Sequence, residues 1–112
     1  TLDLSLELNT EFANFYPCQA LPGSSLYRTA LENKWELPES YSGYAFLSYD
    51  SKPLPTKYLT AAEVLKFRDE AWQKYFTHQP FLSLVEKKFG EQSRKNVEEM
   101  AQIKLKRKLL GD

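Results

Sequence analysis

Thr60-Ala61-Ala62-Glu63 constrains this chain more than any other stretch. A threonine three residues ahead of a glutamate makes a capping box. The hydroxyl accepts the backbone N–H of Glu63 and the carboxylate reaches back to that of Thr60, so a helix starts there. Leu59 before the cap and Val64 after it are placed for a hydrophobic staple. Ala61, Val64, Leu65, Ala71, Trp72, Tyr75 and Phe76 then recur at helical spacing on one face, while Lys66, Asp69, Glu70, Gln73 and Lys74 take mainly the other. The spacing predicts an amphipathic helix to about Phe76. Thr77-His78-Gln79-Pro80 interrupts it, and Pro80 suits the first turn of a second helix marked by Phe81, Leu82, Leu84, Val85 and Phe89. Gly90 is expected to end that helix as a left-handed cap. A third pattern runs from about Ser93 to Leu110, with Val97, Met100, Ala101 and Leu105 inward and Gly111 after it.

The first half is less periodic. Leu2, Leu4, Leu6 and Leu8 alternate with polar residues, the period of a half-buried strand, although leucine favours helices and a helix buried on several sides shows no single stripe. Phe12-Ala13-Asn14-Phe15-Tyr16 has the aromatic enrichment of a strand, stopped by Pro17 and followed by a Pro22-Gly23 turn. Ser24 is placed to cap a short helix through about Asn33. From Trp35 to Tyr58 no helical period survives Pro38, Gly43, Pro53 and Pro55. Tyr41, Tyr44, Phe46 and Tyr49 are costly to leave in water, so this segment is expected to pack over a surface, with Tyr44–Tyr49 as a candidate short strand.

At 112 residues, 42% of them hydrophobic and 14% aromatic, the chain makes at most one domain and is not disordered. No apolar run approaches the ~20 residues of a membrane span. The sequence opens without a basic stretch and apolar core, so no signal peptide is expected and the cytoplasm is the expected compartment. Charge cancels overall, with 15 basic and 15 acidic residues. The second half is nevertheless mildly basic, and its densest run is Lys104, Lys106, Arg107 and Lys108. That run reads as a solvated helix end complementing the macrodipole, with a partner or nucleic-acid contact as the alternative. No aromatics interleave with it, so no nucleic-acid partner is expected.

Few residues offer chemistry. Cys18 is the only cysteine, which excludes an internal disulfide and an all-cysteine metal site, and it reads as an ordinary buried thiol rather than a nucleophile or metal ligand. His78, the only histidine, sits in a helix-helix connection beside Pro80 and reads as a surface linker residue rather than a base or ligand, since a general base needs partners positioned around it. Glu98 and Glu99 are adjacent and so do not share a helix face. Four scattered glycines make no phosphate-cradling loop. No catalytic residue and no metal ligand is assigned.

Three consecutive stretches carry a likeness: Leu6-Glu7-Leu8-Asn9, Phe12-Ala13-Asn14-Phe15-Tyr16, and Leu21-Pro22-Gly23-Ser24-Ser25-Leu26-Tyr27. Together they resemble the end of the radical S-adenosylmethionine barrel, where a helix, a late barrel strand and a Pro-Gly-Ser/Thr turn opening a helix with a Leu-Tyr pair follow one another. The likeness is best to the cobalamin-binding branch, and within it to proteins of the anaerobic magnesium-protoporphyrin IX monomethyl ester cyclase type. Beyond a tyrosine-rich loop, Leu54-Pro55-Thr56-Lys57, the helix from Ala62 to Phe76 and Pro80-Phe81-Leu82 continue it over nearly the whole chain. Ala20 departs from the pattern, standing where many relatives have proline.

The resemblance implies an α+β fold, mainly α. Residues 1–34 are expected to form a helix-strand-helix remnant of an αβ barrel, 35–59 an aromatic and proline-rich connector, and 60–112 a three-helix extension. It also implies a C-terminal fragment of an oxidoreductase acting on a tetrapyrrole or related substrate, not catalytic by itself. The parent is expected to use a [4Fe-4S] cluster on a three-cysteine loop, S-adenosylmethionine and cobalamin, none of them held by this fragment. Tyr16, Cys18 and Gln19, at the end of the expected strand, are the candidates for lining the cofactor or substrate cavity of the parent. The expected partner is the rest of the barrel, or a second copy recruited by the strand's unpaired edge. The alternative is a stand-alone helical module that holds a protein partner on its aromatic face.

Overall fold

The computed structural model describes residues 1–112 and contains five α-helices, two short 3-10 helices and no strand. The helices are α1 (Leu2–Leu8), α2 (Ser25–Glu32), α3 (Ala61–Phe76), α4 (Gln79–Phe89) and α5 (Glu91–Gln102). The 3-10 helices are Tyr41–Tyr44 and Lys108–Leu110. Two compact units divide the chain, one of Thr1–Phe15 with Asp69–Lys104, the other of Tyr16–Arg68 with Leu105–Asp112.

The all-helical fold overturns the expected α+β class and the barrel-strand remnant. Phe12–Tyr16 pairs with nothing in a ladder. Its first aromatics serve a helix instead. The Phe12 ring meets Phe76 edge-on at 5.4 Å and Phe15 meets Tyr75 at 6.0 Å. Aromatic enrichment therefore marked side chains that pack on α3 rather than a pleated neighbour. With no strand there is no strand edge to template self-association. Tyr44–Tyr49 is likewise no strand: a 3-10 turn ends at Tyr44 and the residues after it form further turns.

In the first unit, the alternating leucines form helix α1 rather than a strand. Leucine tolerates either state. Asp3 in the first turn and Asn9 in the left-handed conformation (φ 48°) decide for the helix, and the Asn9 N–H closes on the Ser5 carbonyl at 3.1 Å. The core of this unit gathers Tyr75, Phe76, Phe81, Leu82, Val85 and Ala101, against which Leu6, Ala13, Phe15, Trp72 and Val97 pack. Its aromatic centre is Tyr75, Phe76 and Phe81, whose rings lie 5.0–5.3 Å apart. α4 packs on α5, and Arg94 of α5 ties them by donating to Glu86 at 2.6 Å while also bonding Glu98 on its own helix at 3.1 Å.

The capping box at Thr60 forms as expected: Glu63 N–H donates to Thr60 Oγ1 at 3.2 Å and Thr60 N–H to Glu63 Oε2 at 2.8 Å. α4 begins with Pro80 in its first turn. Gly90 does have positive φ, but at φ 91°, ψ 169° it is extended and not left-handed helical, so it ends α4 and starts α5 in one residue. α5 stops at Gln102, well short of the expected Leu110. The basic run consequently lies beyond the helix.

In the second unit, Ser24 Oγ accepts the Tyr27 N–H at 3.1 Å and caps α2. A small core of Ala20, Ala30 and Leu54 takes in Leu26, Tyr27 and Leu37. The connector is held by hydrogen bonds and by the buried residues Ser51, Pro53 and Leu54, while its tyrosines are less covered than expected. Tyr41 stays 86% exposed, while Lys52 N–H donates to the Gly43 carbonyl at 2.9 Å and Leu54 N–H to the Cys18 carbonyl at 2.9 Å. Of the basic run, Lys104, Lys106 and Lys108 are exposed as expected, whereas Arg107 is fully buried and donates to the Ser48 carbonyl at 2.8 Å.

Candidate functional site

The residues singled out for cavity lining lie in the second unit, on the irregular stretch Tyr16–Gln19. Tyr16 is exposed, and its ring meets Phe46 edge-on at 4.7 Å. Arg68 sits over the same Phe46 ring, 5.2 Å from its centroid. A guanidinium and an aromatic edge both find the phenyl ring attractive, because its faces are negative and ring edges positive. Cys18, expected to be buried, is instead a free, exposed thiol, because the stretch is held by its backbone: the Cys18 carbonyl accepts from the Leu54 N–H. Gln19 is half-buried. Its Nε2 donates to Ser51 Oγ at 3.3 Å, while its buried Oε1 has no protein partner. The three side chains stand beside one another in sequence but converge on no common polar centre.

Arg68 is in neither of the two residue sets whose spacing predicts the faces of α3. It lies three residues after Leu65 and four before Trp72, within the apolar stripe of α3, and is 8% exposed. An arginine at a stripe position is the signal for a cation received by an acceptor or a ring.

Close by in the chain, the Asp50 carboxylate accepts from Ser42 and Ser40, at 2.5 and 3.0 Å. The Ser42 bond above all, and then that from Ser40, holds the Asp50 carboxyl below the usual carboxylate value. Burial pushes the Tyr44 hydroxyl above its ordinary value, with Tyr27 and Tyr41 adding to the shift. The first shift makes Asp50 a weaker base, and the second keeps the Tyr44 hydroxyl a donor.

The first unit carries an open groove of about 530 Å³, lined by Phe76, Leu82 and Ala101 with Gln73, Glu98 and Lys104 among its polar residues. Thr77 supplies its one hydroxyl and spends that hydrogen on the Gln73 carbonyl at 2.7 Å. His78, half-buried at the start of α4, makes no side-chain capping bond.

No group of three or more His, Cys, Asp and Glu side chains stands together as a metal-holding set. The three-thiolate requirement of a [4Fe-4S] cluster is not met by one cysteine, so this chain's residues do not fit that group. No helix is long and apolar enough to cross a membrane. No family model, curated protein or solved structure gives a significant match to the chain.

Proposed function

We propose that this chain is the C-terminal region of a radical S-adenosylmethionine, cobalamin-dependent oxidoreductase of the anaerobic magnesium-protoporphyrin IX monomethyl ester cyclase type, not catalytic by itself. The observation that carries this reading is the order of its motifs. Leu6-Glu7-Leu8-Asn9, Phe12 to Tyr16, Leu21 to Tyr27, Leu54-Pro55-Thr56-Lys57 and Pro80-Phe81-Leu82 follow one another along nearly the whole chain as they do in that family.

The surface supports it. Leu4, Leu8, Phe12 and Tyr16 are 58–64% exposed. Burying such a side chain gains about 1.5–3 kcal/mol, so a run of them left in water suits a chain that packs against more protein. In this reading the iron-sulfur cluster, S-adenosylmethionine and cobalamin are held by residues outside this chain, and the substrate is a tetrapyrrole or a related compound. Tyr16, Cys18 and Gln19 border the cavity of the whole enzyme.

A helical module that holds a protein partner is the second reading, favoured by Tyr41 and Tyr58, which are 86% and 83% exposed. Sequencing the transcript upstream of the Thr1 codon separates the two. An open frame containing a C-x-x-x-C-x-x-C loop is expected. A start codon shortly upstream, with no such loop, would overturn the enzyme reading in favour of the module.

A further inference from the structure

Residues 105–112 do more than trail from α5. Arg107 is the largest fully buried side chain of the protein. Its Nη1 donates to the Ser48 carbonyl at 2.8 Å, and the next N–H, that of Lys108, donates to the Tyr49 carbonyl at 2.9 Å. Tyr49 answers with its hydroxyl, which donates to the Asp112 carbonyl at 2.9 Å. The segment also closes on itself, since the Asp112 carboxylate accepts the Arg107 N–H at 2.9 Å and the Asp112 N–H returns to the Arg107 carbonyl. Gly111 makes that closure possible at φ 87°.

The chain gripped in this way leads directly to the Cys18 region. Ser51 and Pro53 are fully buried. Ser51 Oγ receives Gln19, the Lys52 N–H is spent on Gly43, and the Leu54 N–H holds the Cys18 carbonyl at 2.9 Å. With Ser51, Pro53 and Leu54 buried and the Lys52 and Leu54 N–H groups bonded, the segment does not shift at one end alone. Leu105 and Leu110, by contrast, are 39% and 37% exposed and Leu109 is half-buried, so the gripping segment has no fully buried apolar side chain to match its arginine. Few buried apolar contacts and a three-residue 3-10 turn belong to the end of a fold that opens first.

We propose that Leu105–Asp112 is a strap whose closing over Ser48–Tyr49 holds Cys18 and Gln19 in place through the 51–54 chain. Docking of Arg107 completes the segment, and release of the strap frees the Tyr16–Gln19 stretch while the first unit stays folded. The inference rests on contacts within the second unit and is independent of the enzyme reading.

Amide exchange of the full chain, read residue by residue by NMR, tests it with two variants. Arg107→Ala removes the buried anchor. Gly111→Ala leaves every side chain of the unit in place and disfavours only the closing turn, because a Cβ there meets nothing within 4 Å while the backbone remains at positive φ. Protection at Lys108, Lys52 and Leu54 is expected to fall together in both, by about tenfold or more in Arg107→Ala, with α4 and α5 unchanged. Should Arg107→Ala lose α4 and α5 protection as well, Gly111→Ala alone decides. Loss at Lys108 with Lys52 and Leu54 still protected overturns the proposal, as does unchanged protection at all three.

Discussion

The Tyr75 hydroxyl donates to the carbonyl oxygen of Thr10 at 2.6 Å, joining the last turn of α3 to the residue just beyond α1 across 65 positions of sequence. The Thr10 hydroxyl lies 3.1 Å from the same phenol oxygen. Tyr75 itself is fully buried, and its ring lies against Phe15, Phe76 and Phe81. One side chain thus anchors the 9–15 segment by a hydrogen bond and by ring packing at once.

Tyr75→Phe keeps the ring and removes the bond. A net loss of about 1 kcal/mol is expected by urea denaturation, since a neutral hydrogen bond contributes roughly that much and Thr10 is exposed enough for water to replace the donor. Removing the ring as well, in Tyr75→Ala, adds a cavity and should bring the cost to about 3–5 kcal/mol. Equal losses in the two variants would show that the rings contribute nothing.

Gly43→Ala tests the connector. A Cβ at this buried glycine would stand 2.4 Å from Pro38 Cβ, a ring atom that cannot rotate away. The backbone must shift, which puts strain on the bond from Lys52 N–H to the Gly43 carbonyl. Overpacking of this kind costs about 1–3 kcal/mol. A melting temperature equal to that of the unaltered chain would mean that the Pro38–Gly43 approach is not maintained in solution.

Acid should weaken the fold through three carboxylates held below their ordinary values. Asp50 is lowered first by Ser42, Glu63 first by the Thr60 N–H, and Glu11 first by the hydrogen bond from Lys88. A carboxyl with a depressed folded pKa stabilises the fold above its unfolded value and loses that contribution as pH falls through the folded one. Stability is therefore expected to be flat above the ordinary values of 3.8 for Asp50 and 4.5 for Glu11 and Glu63, and to decline below them. In Glu63→Gln the decline should be shallower, because one of the three titrations is gone. Denaturant midpoints measured from pH 6 downward would contradict this if the two profiles stayed parallel.

The starts of α3 and α4 were legible because their signals are local, whereas the end of α5 at Gln102 carried no such signal. A capping box, a proline in a first turn and an apolar stripe act within a few residues, whatever surrounds them. The same holds for Ser24 at α2. The candidate residues fared differently. Tyr16, Cys18 and Gln19 could be named from the chain, but not their partners Phe46, Leu54 and Ser51, which lie 30 or more positions away.

By itself the sequence determined where the helices from Ser24 and Thr60 begin and where α3 ends, since these follow from hydrogen bonds between residues three or four apart. Only the tertiary structure decided the state of Phe12–Tyr16 and the fate of the basic run. An aromatic segment serves a sheet or a helix surface equally well, and here Tyr75 and Phe76 claimed its rings. An arginine among lysines looks solvated until a distant carbonyl is found for it, and Ser48, 59 positions away, supplies that acceptor for Arg107. Contacts of that span depend on how the intervening chain closes, and no local propensity encodes them.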